Sequence, residues 1–109
     1  MTPKHLVYCF DLDGTICNTI NKIYENSTPF YKVIEKINEL YNDGNKIIIF
    51  TARGTTSGIN YHDLTVSQLK KWGISYHELI DKNKPHFDIF IDDKAINAKT
   101  WREQNNITI

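Results

Sequence analysis

Net charge of either sign is missing from this chain: across its 109 residues, 13 Lys and Arg balance 13 Asp and Glu. That balance argues against a general nucleic-acid coat protein and against a polybasic membrane binder. Long hydrophobic stretches are missing too. The longest apolar run, residues 47–50, is far too short to cross a bilayer. Met1-Thr-Pro-Lys-His shows no apolar leader, so the chain reads as cytoplasmic, with no membrane partner. Cysteine is scarce. Cys9 and Cys17 do not make a disulfide framework, and Cys9 reads as a reduced core residue. Arginine occurs only at Arg53 and Arg102, and no internal repeat, linker or low-complexity tract interrupts the sequence. His5, His77 and His86 share no metal-ligand spacing.

What is present suffices for one core. Hydrophobic residues make up 40% of the chain. At this length about two-thirds of the unfolded surface can be buried. Residues 1–109 therefore read as a single domain.

Strand and helix signals alternate. Residues 6–10, Leu-Val-Tyr-Cys-Phe, form an apolar run suited to a strand buried on both faces. Residues 15–27 read as a loop or small hairpin. Thr28-Pro29 resembles an N-cap followed by proline at the first helical position. Phe30, Val33, Ile34, Ile37 and Tyr41 then predict one buried helix face, stopped at Asp43-Gly44. Lys46-Ile-Ile-Ile-Phe50 is the second strand, and residues 53–62 read as loop. Thr65-Val-Ser-Gln68 matches a capping box, with Leu64 and Leu69 placed as its hydrophobic staple, so the second helix is expected from there to Gly73. Residues 74–80 have room for a short strand, 87–91 form a third clear strand, and 98–104 a last helix. Trp72 and Trp101 read as core or helix-packing residues.

This order implies an α/β fold with a central parallel sheet, in which ligands bind at the carboxyl ends of the strands. The first strand ends in Asp11 and Asp13, the second in Thr51, and the third in Asp92 and Asp93; Lys84 precedes the third on a loop. Like charges ~4 Å apart repel by about 4 kcal/mol at an effective dielectric near 20, so four converging carboxylates call for raised pKa values or a cation. Carboxylates without thiols or spaced imidazoles select a hard ion, Mg²⁺ above all. Such an ion attracts phosphate, and the Thr51 hydroxyl and Lys84 ammonium suit its other oxygens.

Phe10-Asp-Leu-Asp-Gly-Thr15, Ile49-Phe-Thr-Ala-Arg53, Lys84 and Ile91-Asp-Asp93 resemble the four ordered motifs of the haloacid dehalogenase (HAD) superfamily. Thr51-Ala-Arg-Gly54, Lys84-Pro85, Asp88 and Ile91-Asp-Asp-Lys-Ala95 look most like the small capless phosphatases found with capsular polysaccharide genes. The resemblance implies a Rossmann-like, three-layer HAD core and a Mg²⁺-dependent phosphomonoester hydrolase. Asp11 would be the nucleophile and Asp13 the acid and base. Asp11, the Asp13 carbonyl and Asp92 would hold the metal, with Asp93 a ligand through water or a support. Thr51 and Lys84 would hold the phosphoryl group, with Lys82 the rival to Lys84. The substrate would be a small phosphorylated sugar or polyol for surface polysaccharide synthesis.

Arg53 has two readings, a substrate contact or a surface loop residue. Tyr61, His62 and Asp63 read as loop residues near a helix start, and Cys17 is given no catalytic role. The gaps from Asp11 to Thr51 and from Thr51 to Lys84, 40 and 33 positions, leave no room for a folded cap of even ~50 residues. An open site then needs a covering substrate or a homo-oligomeric neighbour. The alternatives are a polynucleotide-end phosphatase, disfavoured by the absence of a basic stripe, a phospho-acceptor switch domain, and an idle binding protein.

Overall fold

The computed structural model describes residues 5–108. Residues 1–4, read above for a leader, lie outside the described residues. Among the described residues, six strands and three α-helices follow in the order β1 (Val7–Asp11), β2 (Cys17–Asn18), β3 (Thr28–Pro29), α1 (Tyr31–Asn42), β4 (Lys46–Phe50), α2 (His62–Trp72), β5 (Glu78–Ile80), β6 (Ile89–Ile91) and α3 (Ala98–Gln104). A 3-10 turn, Tyr24–Asn26, lies between β2 and β3.

The chain is α/β, with a central parallel sheet of four strands in the order β5-β4-β1-β6, flanked by helices. β1 pairs with β4 from Val7↔Lys46 to Asp11↔Phe50, and with β6 from Tyr8↔Ile89 to Phe10↔Ile91. The chain steps outward through β4 to β5 and then returns to the other side of β1. The strand order thus reverses at the β1–β6 boundary, where Asp11 ends β1 and Asp92 directly follows β6. In open α/β sheets this reversal leaves a crevice where ligands bind.

The side chains of a strand alternate between faces. On one face Phe10, Ile47 and Ile49 join Ile34 and Ile37 of α1 and Leu69 and Trp72 of α2 in the main core. The opposite face carries Cys9 and Ile48, both buried, and Phe90, which meets Phe50 and Phe87. Gly44 and Gly73 follow the two core helices with positive φ, the conformation that closes a helix.

Several expectations are corrected. Thr28-Pro29 does not start α1. These residues pair antiparallel with Cys17–Asn18, and the Phe30 N–H donates to the Ile16 carbonyl at 2.8 Å, so the chain stays extended until Tyr31. Cross-strand hydrogen bonding outweighs the local capping preference there. Phe30 is 40% exposed rather than part of the buried stripe. α2 begins at His62, one turn before the apparent capping box, and Thr65 lies inside it, its N–H donating to the Tyr61 carbonyl at 2.9 Å. Trp72 is buried as expected, but Trp101 is 49% exposed on α3. The strand at 74–80 exists as β5, and α3 spans the expected residues.

Candidate active site

β1 delivers Asp11 at its last residue, and the chain then turns tightly. The Gly14 N–H donates to the Cys17 carbonyl at 2.8 Å, and the Ile16 N–H to the Leu12 carbonyl at 2.9 Å. Gly14 sits at φ +87°, and a Cβ there would strike the Asp93 carboxylate. Only glycine lets the β1 turn and the end of β6 approach this closely.

Asp11, Asp13, Asp92 and Asp93 line one cavity of about 610 Å³, together with Lys22 and Lys94. The carboxyl of Asp11 is pushed up to about 6, by burial first and then by the negative charges of Asp93 and Asp92. Asp92 Oδ1 accepts the Ala95 N–H at 2.9 Å.

Asp13 behaves differently. Burial alone would raise its carboxyl, yet hydrogen bonds from Arg53 and Thr19 and the Arg53 charge hold it below the ordinary value. Arg53 Nε donates to Asp13 Oδ2 at 3.0 Å and Nη2 to Oδ1 at 2.9 Å. Nη1 donates to Gln68 Oε1 at 2.6 Å and to Thr65 Oγ1 at 3.2 Å, and Nη2 also reaches Ser27 Oγ at 3.3 Å. The five N–H donors of the guanidinium are therefore all engaged. Thr19 Oγ1 donates to Asp13 Oδ1 at 2.6 Å and lies 2.6 Å from Ser27 Oγ. The carboxylate, the guanidinium and two hydroxyls of the 17–29 hairpin thus form a closed ring. Cys17 Sγ also donates to Asp13 Oδ1 at 3.5 Å, and its thiol is pushed up to about 11 by burial and the Asp13 charge, so it stays protonated and unreactive.

Thr51 is buried at the end of β4, where its Oγ1 accepts the Arg53 N–H at 3.1 Å. It lines a second cavity of about 610 Å³, which shares Arg53 and Thr55 with the first and is also bordered by His62 and Lys82. Lys84 lines neither cavity. Its Nζ lies over the rings of Phe87 and Phe90, 5.3 and 5.7 Å from their centroids. The four aspartates are therefore brought together, Thr51 is next door, and Lys84 stands apart. Arg53 is not a surface loop residue: it is 6% exposed and bound to its own chain, and it lines both cavities.

Thr19, Ser27, Thr65 and Gln68 were not singled out as site residues. Thr65-x-x-Gln68 carried a signal, but its spacing is also that of a capping box. No local pattern marks Ser27.

A divalent cation is tested here by the donor chemistry. Among the described residues no three His, Cys, Asp or Glu side chains are gathered into a ready metal cage. The Asp13 carboxylate is occupied by Arg53, which leaves the Asp13 backbone carbonyl and the carboxylates of Asp11, Asp92 and Asp93. Their repulsion at Asp11 and their oxygen-only character fit Mg²⁺, which is usually held by one or two carboxylates and keeps several waters.

Among solved structures, the chain is similar to a crystal structure from Vibrio cholerae that carries no functional name, with 28% identity and a TM-score of 0.65, covering 87% of this chain and 85% of that one. No family model and no curated protein matches the sequence. No helix among the described residues is long and apolar enough to cross a membrane.

Proposed function

We propose that this chain is a Mg²⁺-dependent phosphomonoester hydrolase built on a capless, three-layer HAD-like core, acting through an aspartyl-phosphate. The observation that carries the reading is the convergence of Asp11, Asp13, Asp92 and Asp93 on one cavity at the carboxyl edge of the parallel sheet. In the free chain Asp11 is pushed up to about 6 by burial and by Asp93 and Asp92, whereas Asp13 is held ionised by Arg53 and Thr19. These shifts oppose the two proposed roles, so a cation is needed to ionise Asp11 and an entering phosphate to protonate Asp13.

Asp11, the Asp13 backbone carbonyl and Asp92 would hold the cation, with Asp93 a ligand through water or a support; the cation would supply positive charge to the phosphoryl oxygens and keep Asp11 ionised at neutral pH. In the first step an Asp11 oxygen bonds to phosphorus as the ester P–O bond breaks. As the phosphate dianion enters beside it, Asp13 takes up a proton from solvent and passes that proton to the leaving oxygen. In the second step Asp13, now ionised, takes a proton from water; the water oxygen bonds to phosphorus and Asp11 is released. The Thr51 hydroxyl and Lys84 are the proposed phosphoryl contacts; Lys84 must leave its place over Phe87 and Phe90 to serve. The proposed substrate is a small phosphorylated sugar or polyol, which rests on the motif resemblance; the zero net charge disfavours an oligonucleotide.

The test is phosphate release from a panel of phosphosugars, polyol phosphates, nucleotides and a 3′-phosphorylated oligonucleotide, with Mg²⁺ or EDTA. Mg²⁺-dependent release that vanishes in Asp11→Asn is expected. No release from any ester refutes the hydrolase, and a phospho-Asp11 lasting minutes would replace it with a phospho-acceptor switch.

A further inference from the structure

The buried face of α2 is divided. Thr65, Gln68, Leu69 and Trp72 recur at helical spacing and all face inward. The later pair joins the apolar core, but the earlier pair is polar and turns to Arg53. Gln68 is 7% exposed and uses both ends of its amide. Its Oε1 accepts from Arg53 Nη1 at 2.6 Å, and its Nε2 donates to the Tyr24 carbonyl at 2.6 Å. Burying an amide is unfavourable unless it is fully bonded, so an apolar residue would serve the core better at this position. The amide is matched instead to two partners, one on each side of the candidate site.

Those partners belong to different parts of the structure. Arg53 follows β4 and grips Asp13. Tyr24 belongs to the hairpin between β1 and α1, the same hairpin whose Thr19 and Ser27 complete the ring around Asp13. The Tyr24 ring lies under the Arg53 guanidinium, 4.8 Å from its centre, and meets Tyr61 edge-on at 4.7 Å. Gln68 is thus the side chain that fixes the far end of the guanidinium and ties it to the hairpin.

We infer that Gln68 is a positioning residue for proton transfer at Asp13: through Arg53 it sets the direction in which the Asp13 carboxyl meets the leaving oxygen. The inference rests on the hydrolase reading above. Residues that orient a functional group from one shell out contribute about 10- to 100-fold to activity. Their loss should be felt where the proton is needed. An ester with a poor leaving group depends on protonation, whereas one with a good leaving group departs as the anion.

The test compares phenyl phosphate with p-nitrophenyl phosphate, in Mg²⁺, on the full chain. Gln68→Met keeps the length of the side chain and removes both hydrogen bonds. It is expected to lower kcat on phenyl phosphate about 10- to 100-fold and on p-nitrophenyl phosphate less than about threefold, with KM changed little on either. Gln68→Glu keeps an acceptor for Arg53 and is expected to recover most of the loss on phenyl phosphate. Thr65→Val, which removes the longer bond to Arg53, should move the ratio in the same direction by less and serves if Gln68→Met fails to fold. Equal losses on both esters, or none, in Gln68→Met, or in Thr65→Val where Gln68→Met fails to fold, would overturn the inference while leaving the hydrolase standing. A wild-type chain that releases no phosphate from either ester overturns the hydrolase reading and this inference with it.

Discussion

Arg53 and Asp13 meet through two parallel hydrogen bonds, Nε to Oδ2 at 3.0 Å and Nη2 to Oδ1 at 2.9 Å, although 40 positions separate them in the chain. The Arg53 side chain is 1% exposed and that of Asp13 27%, so the pair spans the boundary between core and cavity. A guanidinium this deep is tolerable only because every N–H has an acceptor, and a carboxylate at its rim keeps a defined direction.

Removing the guanidinium should therefore be costly. Arg53→Met leaves Asp13, Gln68 and Thr65 without their shared partner, and a loss of about 2–4 kcal/mol is expected from urea unfolding. The pH dependence carries its own sign. A carboxyl held below its unfolded value contributes stability above that value and loses it as the pH falls. The acid side of the stability profile should thus be shallower in Arg53→Met than in wild type. A change under about 0.5 kcal/mol would mean that the pair holds nothing in place.

Asp11 has the opposite sign. Its carboxyl lies at about 6 in the fold against 3.8 for the free group, so the folded state gains relative stability as the pH falls and loses it as the pH rises through about 6. Without divalent cation, Asp11→Asn should raise Tm by about 2–5 °C at pH 8 and leave it nearly unchanged at pH 4. Mg²⁺ should stabilise wild type at pH 8 and do little for Asp11→Asn. Equal Mg²⁺ responses in the two proteins would refute cation binding at Asp11.

Gly14→Ala tests the contact between the β1 turn and Asp93. The added Cβ would meet the Asp93 carboxylate at a φ that disfavours side chains, so Asp93 must move away. The expected outcome is a stability loss of about 1–3 kcal/mol and a weaker Mg²⁺-induced rise in Tm. An unchanged Mg²⁺ response would take Asp93 out of the cation site.

The core under the site is tested by Ile49→Ala. Ile49 is fully buried on β4, among residues of β1, α1 and α2. Truncation should cost about 2–4 kcal/mol by urea unfolding. Phosphate release, measured where the variant remains folded, should fall less than in Asp13→Asn.

Much of the fold was legible because it depends on short-range chemistry. The apolar runs ending at Phe10, Phe50 and Ile91 marked three of the four sheet strands, and Gly44 and Gly73 marked where the helices stop. The starts of α1 and α2 were misread for one reason. Thr28-Pro29 and Thr65-x-x-Gln68 carry good local capping signals, but in each case a distant partner takes the group that the cap would have used. For Thr28-Pro29 the partner is Cys17–Asn18, and for Thr65 and Gln68 it is Arg53.

The sequence by itself determined an α/β chain whose carboxylates collect at one edge, because strand endings follow from where apolar runs meet Asp, and parallel strands align their carboxyl ends. Only the tertiary structure decided how those carboxylates differ. Asp11 and Asp13 are two residues apart and chemically identical, yet one faces Asp92 and Asp93 and the other faces Arg53. Burial raises the proton affinity of both; the charges at the end of β6 raise Asp11 further, whereas hydrogen bonds from Arg53 and Thr19 and the Arg53 charge bring Asp13 below the ordinary value, and such through-space effects leave no trace in local sequence.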